Sequence, residues 1–515
     1  MSAGKWLAAA AVALSVVLLR KAVALPSLEG RVPSSAFTDT QSTRLGKDAQ
    51  PLIHAHPGKS GIYPLPDGRD AFAARIHLAH SAERTLDAQY YIWRRDMSGT
   101  LLLQALREAA DRGVRIRLLL DDHATPGLDS ILAALDAHPN IEVRLFNPLR
   151  IRSPRWLNYL FDFIRLNRRM HNKSFTVDNQ VTVIGGRNVA DDYFGAVDGL
   201  FFADLDVMAI GPVVQEVSND FDRYWASGSS YPADRLLPRV QPTVAAKLAA
   251  ESRKAEQNPA AVAYMNALRG SEFVNQMHQR RLPVEWARVR MVSDDPAKGL
   301  GLAAPEGHLN KKLNDILGDP ESSLDLVSPY FVLTAPTLRY LTDLPKRGVR
   351  VQILTNSLEA TDASVVHAAY AKRRRELLKA GIALYELKRF APIVRTKLRA
   401  KWRDSSKSTL HAKTFSLDQT RVFIGSSNFD ARSSRWNTEM GFVIESPALA
   451  QKIEATLEHS LADGSYEVRL LNSGQLEWIE RQGEHSVRYR AEPGTSVWRR
   501  VWISFLALLP IDGLL

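Results

Sequence analysis

The stretch His171 to Asn188, HNKSFTVDNQVTVIGGRN, returns in nearly the same form at His411 to Asn428, HAKTFSLDQTRVFIGSSN. Both follow the spacing H-x-K-x4-D-x6-G-x-x-N, and the histidines are 411 − 171 = 240 positions apart. Residue frequencies give one such match in roughly one chain in 10⁴, so two in register mark a duplication. SFTVD and QVTVIGG are β-rich runs joined by Val-Asp-Asn-Gln, so each motif reads as a hairpin. His171 and Lys173 are two apart and share one face of a strand. Asp178 has the opposite parity and falls at the turn, where it reads as a turn or structural residue. A glycine after the return strand lets Asn188 come back to the His-Lys face.

Working outward, Thr85 to Trp93 (TLDAQYYIW) and Arg112 to Asp122 (RGVRIRLLLDD) flank an amphipathic LLLQALREAADRG. Ser323 to Leu333 (SLDLVSPYFVL) and Arg347 to Ser357 (RGVRVQILTNS) repeat that order. Strand, helix, strand is a βαβ unit with parallel strands. The period is too long for a solenoid and suits a duplicated domain. Asp129 to Phe146 adds a helix and a strand to the first copy, while the helical-looking Tyr231 to Val284 breaks the pattern. The expected class is α/β: a duplicated fold of two α/β/α sandwich lobes related by a pseudo-twofold, sharing one active site. The expected limits are 1–25 for an apolar segment, 26–61 for a linker and 62–230 for the first lobe. A helical connector follows over 231–284, the second lobe over 285–465 and a C-terminal extension over 466–515.

Such a pairing pools two histidines, two lysines and two asparagines. The set is cationic, rich in donors and without obvious metal ligands, so it suits a phosphoryl group. One imidazole attacks, the other handles the leaving oxygen, and two displacements run through a phosphohistidine. No metal and no cofactor are expected. A working histidine needs an acceptor to set its tautomer. Asp204 in FADLDVMAI and Glu439 in NTEMGFVI are the candidates, with Asp206 the runner-up to Asp204.

Composition narrows the partners. Among 515 residues there is no cysteine, which excludes disulfides, thiolate metal sites and a cysteine nucleophile. The net charge of +11 suggests nucleic acid or an acidic membrane surface. That charge is concentrated. Arg150 to Met170 carries six arginines and one aspartate among aromatic and aliphatic residues and leads into His171. Lys372 to Arg403 has 12 basic and 2 acidic residues ahead of the second motif. Trp6 to Leu19 is a weakly polar run of 14 residues followed by Arg20 and Lys21. We read it as an anchor with snorkelling cations rather than a secretory signal ending at Ala22-Val23-Ala24. Trp498, Arg499, Arg500 and Trp502 precede a short apolar C-terminus, which reads either as an interfacial helix or as one docked on the core. Gly299 to Ala304 matches a loose dinucleotide fingerprint but lacks the helix start. Asp67 to Ala71 begins like a metal-dependent phosphatidyltransferase motif, and Phe72 breaks it. His77, His80, His123 and His308 have no ligand-like partners in sequence.

The paired H-x-K-x4-D motifs resemble the phospholipase D superfamily. RLNRRMHNKSFTVDNQVTVIGGRNVADDYFG, FADLDVMAIGPVV and LLPIDGLL are similar to the C-type bacterial cardiolipin synthases. The resemblance spans Ile62 to the C-terminus. It implies a covalent phosphatidyl-histidine on His171, with His411 as general acid and then base. It implies phosphate held by Lys173, Lys413, Asn188 and Asn428, and it counts the motif aspartates Asp178 and Asp418 with the catalytic set. It pairs each histidine with an acid from the other half, His171 with Glu439 and His411 with Asp204. The departure is Gly186, opposite Ser426 in the second copy. The expected activity makes cardiolipin from phosphatidylglycerol and a second phospholipid, phosphatidylethanolamine or phosphatidylglycerol. Phospholipid hydrolysis, a nuclease and a non-enzymatic membrane scaffold are the alternatives. The expected partners are phospholipids and an anionic membrane surface, with no nucleic acid. The chain is expected as a monomer, anchored or peripheral at a bacterial inner membrane.

Overall fold

The computed structural model describes residues 24–196, 200–389, 407–483 and 485–509. The N-terminal apolar run and the 390–403 part of the second basic stretch lie outside the described residues. The first half contributes strands β1 (Ser60–Leu65), β2 (Thr85–Tyr90), β3 (Arg115–Asp121), β4 (Ile141–Phe146) and β5 (Ser174–Val177). It continues with β6 (Val181–Gly185), β7 (Leu200–Ala203), β8 (Asp206–Ile210) and β9 (Ser230–Pro232). The second half contributes β10 (Glu285–Ser293), β11 (Ser323–Val327), β12 (Arg350–Asn356), β13 (Ala383–Leu387), β14 (Lys407–Leu410) and β15 (Lys413–Leu417). It ends with β16 (Arg421–Gly425), β17 (Met440–Glu445), β18 (Ser465–Leu470), β19 (Leu476–Gln482) and β20 (His485–Tyr489).

The pairings run β9-β4-β3-β2-β5-β6-β8-β1 in the first lobe. They run β10-β17-β16-β15-β11-β12-β13-β18-β19-β20 in the second. Antiparallel β1 and β10 join the two into one continuous sheet. As the repeat requires, β2, β3 and β4 are parallel, and so are β11, β12 and β13. The crossover helix Met97–Asp111 is capped by Asp96, whose carboxylate accepts from the Gly99 N–H, and Gly113 ends it at φ 95°. The matching helix Ala335–Asp343 is capped by Thr334, and Gly348 takes φ 86°.

Each lobe has its own core, with Phe72, Leu86, Leu118 and Phe175 in the first and Leu326, Ile353, Leu384 and Phe423 in the second. A third core of Ile184, Val207, Ile424 and Phe442 lies between the lobes and fixes their relative position. The active-site side chains depend on that seam. The helices Pro242–Glu256, Pro259–Arg269 and Glu272–His278 connect the halves.

Two helices leave apolar faces in solvent. Leu157–Leu166 exposes Leu160, Phe161, Phe163 and Ile164, with Trp156 just ahead of it. In Val497–Leu506, Ile503 and Leu506 dock on Leu358 and Ala368. The opposite face exposes Trp498, Val501, Trp502 and Phe505. The docked reading of the C-terminus therefore describes one face of the helix. Among the described residues no helix is long and apolar enough to cross a membrane.

Candidate active site

Two short parallel contacts between the lobes set the site. β7 and β14 pair with each other, Ala203 opposite Leu410, and the next residues are Asp204 and His411. The His411 N–H donates to the Ala203 carbonyl at 2.8 Å, and its Nδ1 lies 2.6 Å from Asp204 Oδ2. On the other side a single parallel bridge joins Met170 to Thr438, and the next residues are His171 and Glu439. The His171 N–H donates to the Thr438 carbonyl at 2.9 Å, and its Nδ1 lies 2.8 Å from Glu439 Oε2. Each histidine thus meets a buried carboxylate of the opposite lobe. A proton held on Nδ1 by the carboxylate leaves the Nε2 lone pair for chemistry. Asp206 does not reach His411: its Oδ2 accepts from Arg75 and its Oδ1 from the Arg187 N–H.

The lysines complete the centre. Lys173 Nζ donates to the His171 carbonyl, and Lys413 Nζ donates to the His411 carbonyl. Lys413 Nζ also lies 2.8 Å from His411 Nδ1. Burial lowers the Lys173 ammonium to about 7; Glu439 opposes the shift and Lys413 adds to it. Burial brings Lys413 to about 8, against the pull of Asp204. Burial holds His171 near 4, opposed by Glu439. Burial and then Lys413 hold His411 near 3, opposed by Asp204. Burial alone would raise the Asp204 and Glu439 carboxyls, but the imidazoles and lysines beside them hold both below the usual range. Both imidazoles are therefore neutral at rest between two anionic carboxylates.

Asn188 is tied down: its Oδ1 accepts from the Ile92 N–H at 3.1 Å, and its Nδ2 donates to the Tyr193 hydroxyl at 2.9 Å. Asn428 is also buried, but its Oδ1 has no hydrogen-bond partner among the described residues. The structure does not bring Asp178 and Asp418 to the imidazoles. Both are at the far end of their hairpins, in turns whose central residues have φ of 50–53°. Asp178 accepts the backbone N–H groups of Glu83, Arg84 and Thr85. Asp418 accepts those of Glu321, Ser322 and Ser323. With their lone pairs engaged there, these carboxylates tie the hairpin to the start of the neighbouring strand.

Gly186 has a steric cause, since a Cβ there would lie 2.1 Å from Asp204 Oδ1. Ser426, in the matching place, donates to Glu439 Oε2 at 2.5 Å. Sequence reasoning missed Tyr193 and Ser433, which occupy matching positions five residues after Asn188 and Asn428. The Tyr193 hydroxyl lies 3.4 Å from His411 Nε2, and the Ser433 hydroxyl donates to Glu439 Oε1 at 2.8 Å. Extending the repeat alignment past the asparagines would have found both. Among the described residues no three or more His, Asp or Glu side chains cluster as a metal site.

Comparison with known proteins identifies the family. Residues 75–225 and 313–461 match the family model described as "Cardiolipin synthase, PLD-like domain". The chain is 49% identical over 473 residues to cardiolipin synthase C of Escherichia coli (strain K12), covering 92% of this chain and 100% of that one. It is 23% identical over 398 residues to the major cardiolipin synthase ClsA of Bacillus subtilis (strain 168), covering 77% and 68% of the two chains. The crystal structure of phosphatidylserine synthase from Haemophilus influenzae Rd KW20 superimposes with a TM-score of 0.52 at 14% identity, over 82% of this chain and 92% of that one. That last likeness concerns the fold. With one family model matched in each lobe and a relative this similar along most of its length, the chain belongs to the cardiolipin synthase family with a phospholipase D-like domain.

Proposed function

We propose that this enzyme makes cardiolipin by phosphatidyl transfer, from phosphatidylglycerol and a second phospholipid, through a phosphatidyl-histidine on His171. The observation that carries the reading is the pair of histidine–carboxylate contacts, each made across the seam, with two lysines between them. The donor's phosphodiester lies among Lys173, Lys413, Asn188 and Asn428. Its negative charge offsets the lysines, which lets His411 take a proton. His171 Nε2 attacks phosphorus, the bond from phosphorus to the headgroup oxygen breaks, and His411 gives that oxygen its proton. In the second step His411 takes the proton of a phosphatidylglycerol hydroxyl. The resulting oxygen attacks phosphorus, the P–N bond breaks, and His171 is regenerated. Glu439 and Asp204 stabilise the charged imidazoles in turn.

The exposed apolar faces of Leu157–Leu166 and Val497–Leu506, with arginines beside them, support an anionic bilayer as the docking surface. We place the enzyme as a monomer at a bacterial inner membrane, anchored or peripheral, with no nucleic-acid partner. The test is purified enzyme with labelled phosphatidylglycerol, with and without phosphatidylethanolamine. Cardiolipin is the expected product, and ethanolamine release matched to it identifies the donor. Phosphatidic acid alone would overturn the transfer reading in favour of hydrolysis.

A further inference from the structure

The second lobe contains a cavity of about 470 Å³ that the site chemistry above does not use. It lies between the helices Leu309–Leu317 and Ala335–Asp343 and the sheet beneath them. Leu313, Leu317, Leu341, Phe415 and Leu417 line it, and Asn428 lines it where it borders the active site. We infer that this cavity receives one acyl chain of the phospholipid whose phosphate is held at the active site.

Three observations carry the inference. The first is continuity along a strand. Lys413, Phe415 and Leu417 alternate along β15 and share one side of it, and Lys413 Nζ lies 2.8 Å from His411 Nδ1. The side that presents the ammonium therefore runs on into the apolar lining. The second is Asn428, which is buried, borders the cavity and has an Oδ1 without a partner among the described residues. The third is the first lobe, where the matching strand face packs into a hydrophobic core with Phe72, Phe194 and Tyr264. Phe175 and Val177 stand at the positions of Phe415 and Leu417 and are fully buried. Phe72 of the helix Gly68–Ser81 packs there against Phe194 and against Tyr264 of the connector.

An apolar slot beginning at a phosphate-holding residue suits a ligand whose apolar part is joined to its phosphate. Asn310, Asn314 and Asp430 also line it, and the match to an acyl chain rests on Leu313, Leu317, Leu341, Phe415 and Leu417. A volume of this size lies in the ~300–1,000 Å³ range of small-ligand sites. Moving a chain from bilayer to cavity exchanges one apolar surrounding for another. The move therefore costs little, and it draws the phosphodiester from the interface to the imidazoles.

The inference rests on the phosphatidyl-transfer reading, and its test separates the two. Thr337 lies on the rim of the cavity and is partly exposed, so Thr337→Trp obstructs it without opening a core. Wild type and variant are compared on dioleoyl and dibutanoyl phosphatidylglycerol, counting all phosphatidyl product, whether cardiolipin or phosphatidic acid. The expected result is a loss of about tenfold or more in kcat/KM for the dioleoyl lipid, with the dibutanoyl lipid within about twofold. Equal effects on both lipids, or none, overturn the inference. A wild type that yields only phosphatidic acid overturns the transfer reading and leaves the chain-length comparison intact. As a check independent of the variant, phosphatidylglycerol with a mid-chain diazirine is photolysed on wild-type enzyme. Labelling of Leu313, Leu317 or Leu341 supports the inference, and labelling confined to Val497–Leu506 or Leu157–Leu166 overturns it.

Discussion

The two half-sites share one hairpin design and are held in different ways. Glu439, behind His171, accepts from the Ser426 and Ser433 hydroxyls as well as from the imidazole. Asp204, behind His411, accepts from the Leu205 N–H, with Gly186 and Tyr193 at the positions of those serines. The Tyr193 hydroxyl faces Nε2 of His411 instead, and Lys413 faces its Nδ1. One imidazole is held at Nδ1 by its carboxylate, as a nucleophile that must point one way requires. The other has a hydroxyl and an ammonium close to its ring nitrogens, which suits a group that takes and returns a proton. The duplication supplies two equal histidines in unequal surroundings, which supports the different work proposed for them.

The comparison breaks most directly at the histidines. His171→Ala should abolish the covalent adduct and lower turnover by about 10⁴-fold or more. Acid-quenching with labelled phospholipid detects the adduct, and its persistence in this variant would move the nucleophile elsewhere. His411→Ala should slow both steps by about 10²–10⁴-fold while still forming adduct from a donor with a good leaving group. Equal behaviour of the two variants with such a donor would erase the assigned asymmetry.

The carboxylates and their neighbours sharpen it next. Glu439→Gln and Asp204→Asn should each cost about 10²-fold or more, the first mainly in adduct formation, as single-turnover traces report. Gly186→Ser should be worse than Ser426→Ala, because the added Cβ meets Asp204 Oδ1 at 2.1 Å. The serine deletion removes one of two hydroxyl donors and should cost about tenfold. The reverse order would mean that Asp204 can shift freely.

A smaller effect is expected from pH. Lys173 titrates near 7 and Lys413 near 8 in the free enzyme, so raising pH through this range removes the charges that attract phosphate. kcat/KM reports the free enzyme, so the decline already set by the proton that His411 must gain should steepen as pH rises through about 7–8. A profile that does not steepen by about pH 9 would show that neither ammonium is needed. The smallest effect on activity belongs to the turn aspartates. Asp178→Ala should lose about 1–3 kcal/mol of stability in denaturant melts, since three N–H groups, the buried one of Thr85 among them, lose their acceptor. Asp418→Ala should lose less, being partly exposed. Activity per folded molecule should persist in both, and its loss from the properly folded variants would return these residues to the chemistry.

Much of this was legible in the sequence because the signals are local. Alternating apolar residues gave the strands, the turn residues gave the hairpins, and the repeated spacing gave the pair of His-Lys faces. The parity of Asp178 placed it at the turn, away from the chemistry. Asp204 and Asp206 could not be told apart by parity, because both share a strand face. The seam decides between them: Arg75 and Arg187 claim Asp206, and the β7–β14 pairing leaves Asp204 beside His411. Ser433 and Tyr193 lie five residues past the asparagines, where the two copies no longer share a residue type, so no common motif marks them. The cavity of the second lobe depends on how two helices sit over a sheet, which no periodicity reports.

The sequence alone determined that one fold occurs twice and that its histidines, lysines and asparagines recur in register, since their spacing is identical in both copies. Tertiary structure decided which carboxylate serves which imidazole, since the partners are more than two hundred residues apart and meet only across the seam. It also decided that identical motifs have unequal surroundings, because the space around each hairpin is filled by side chains from other parts of the chain.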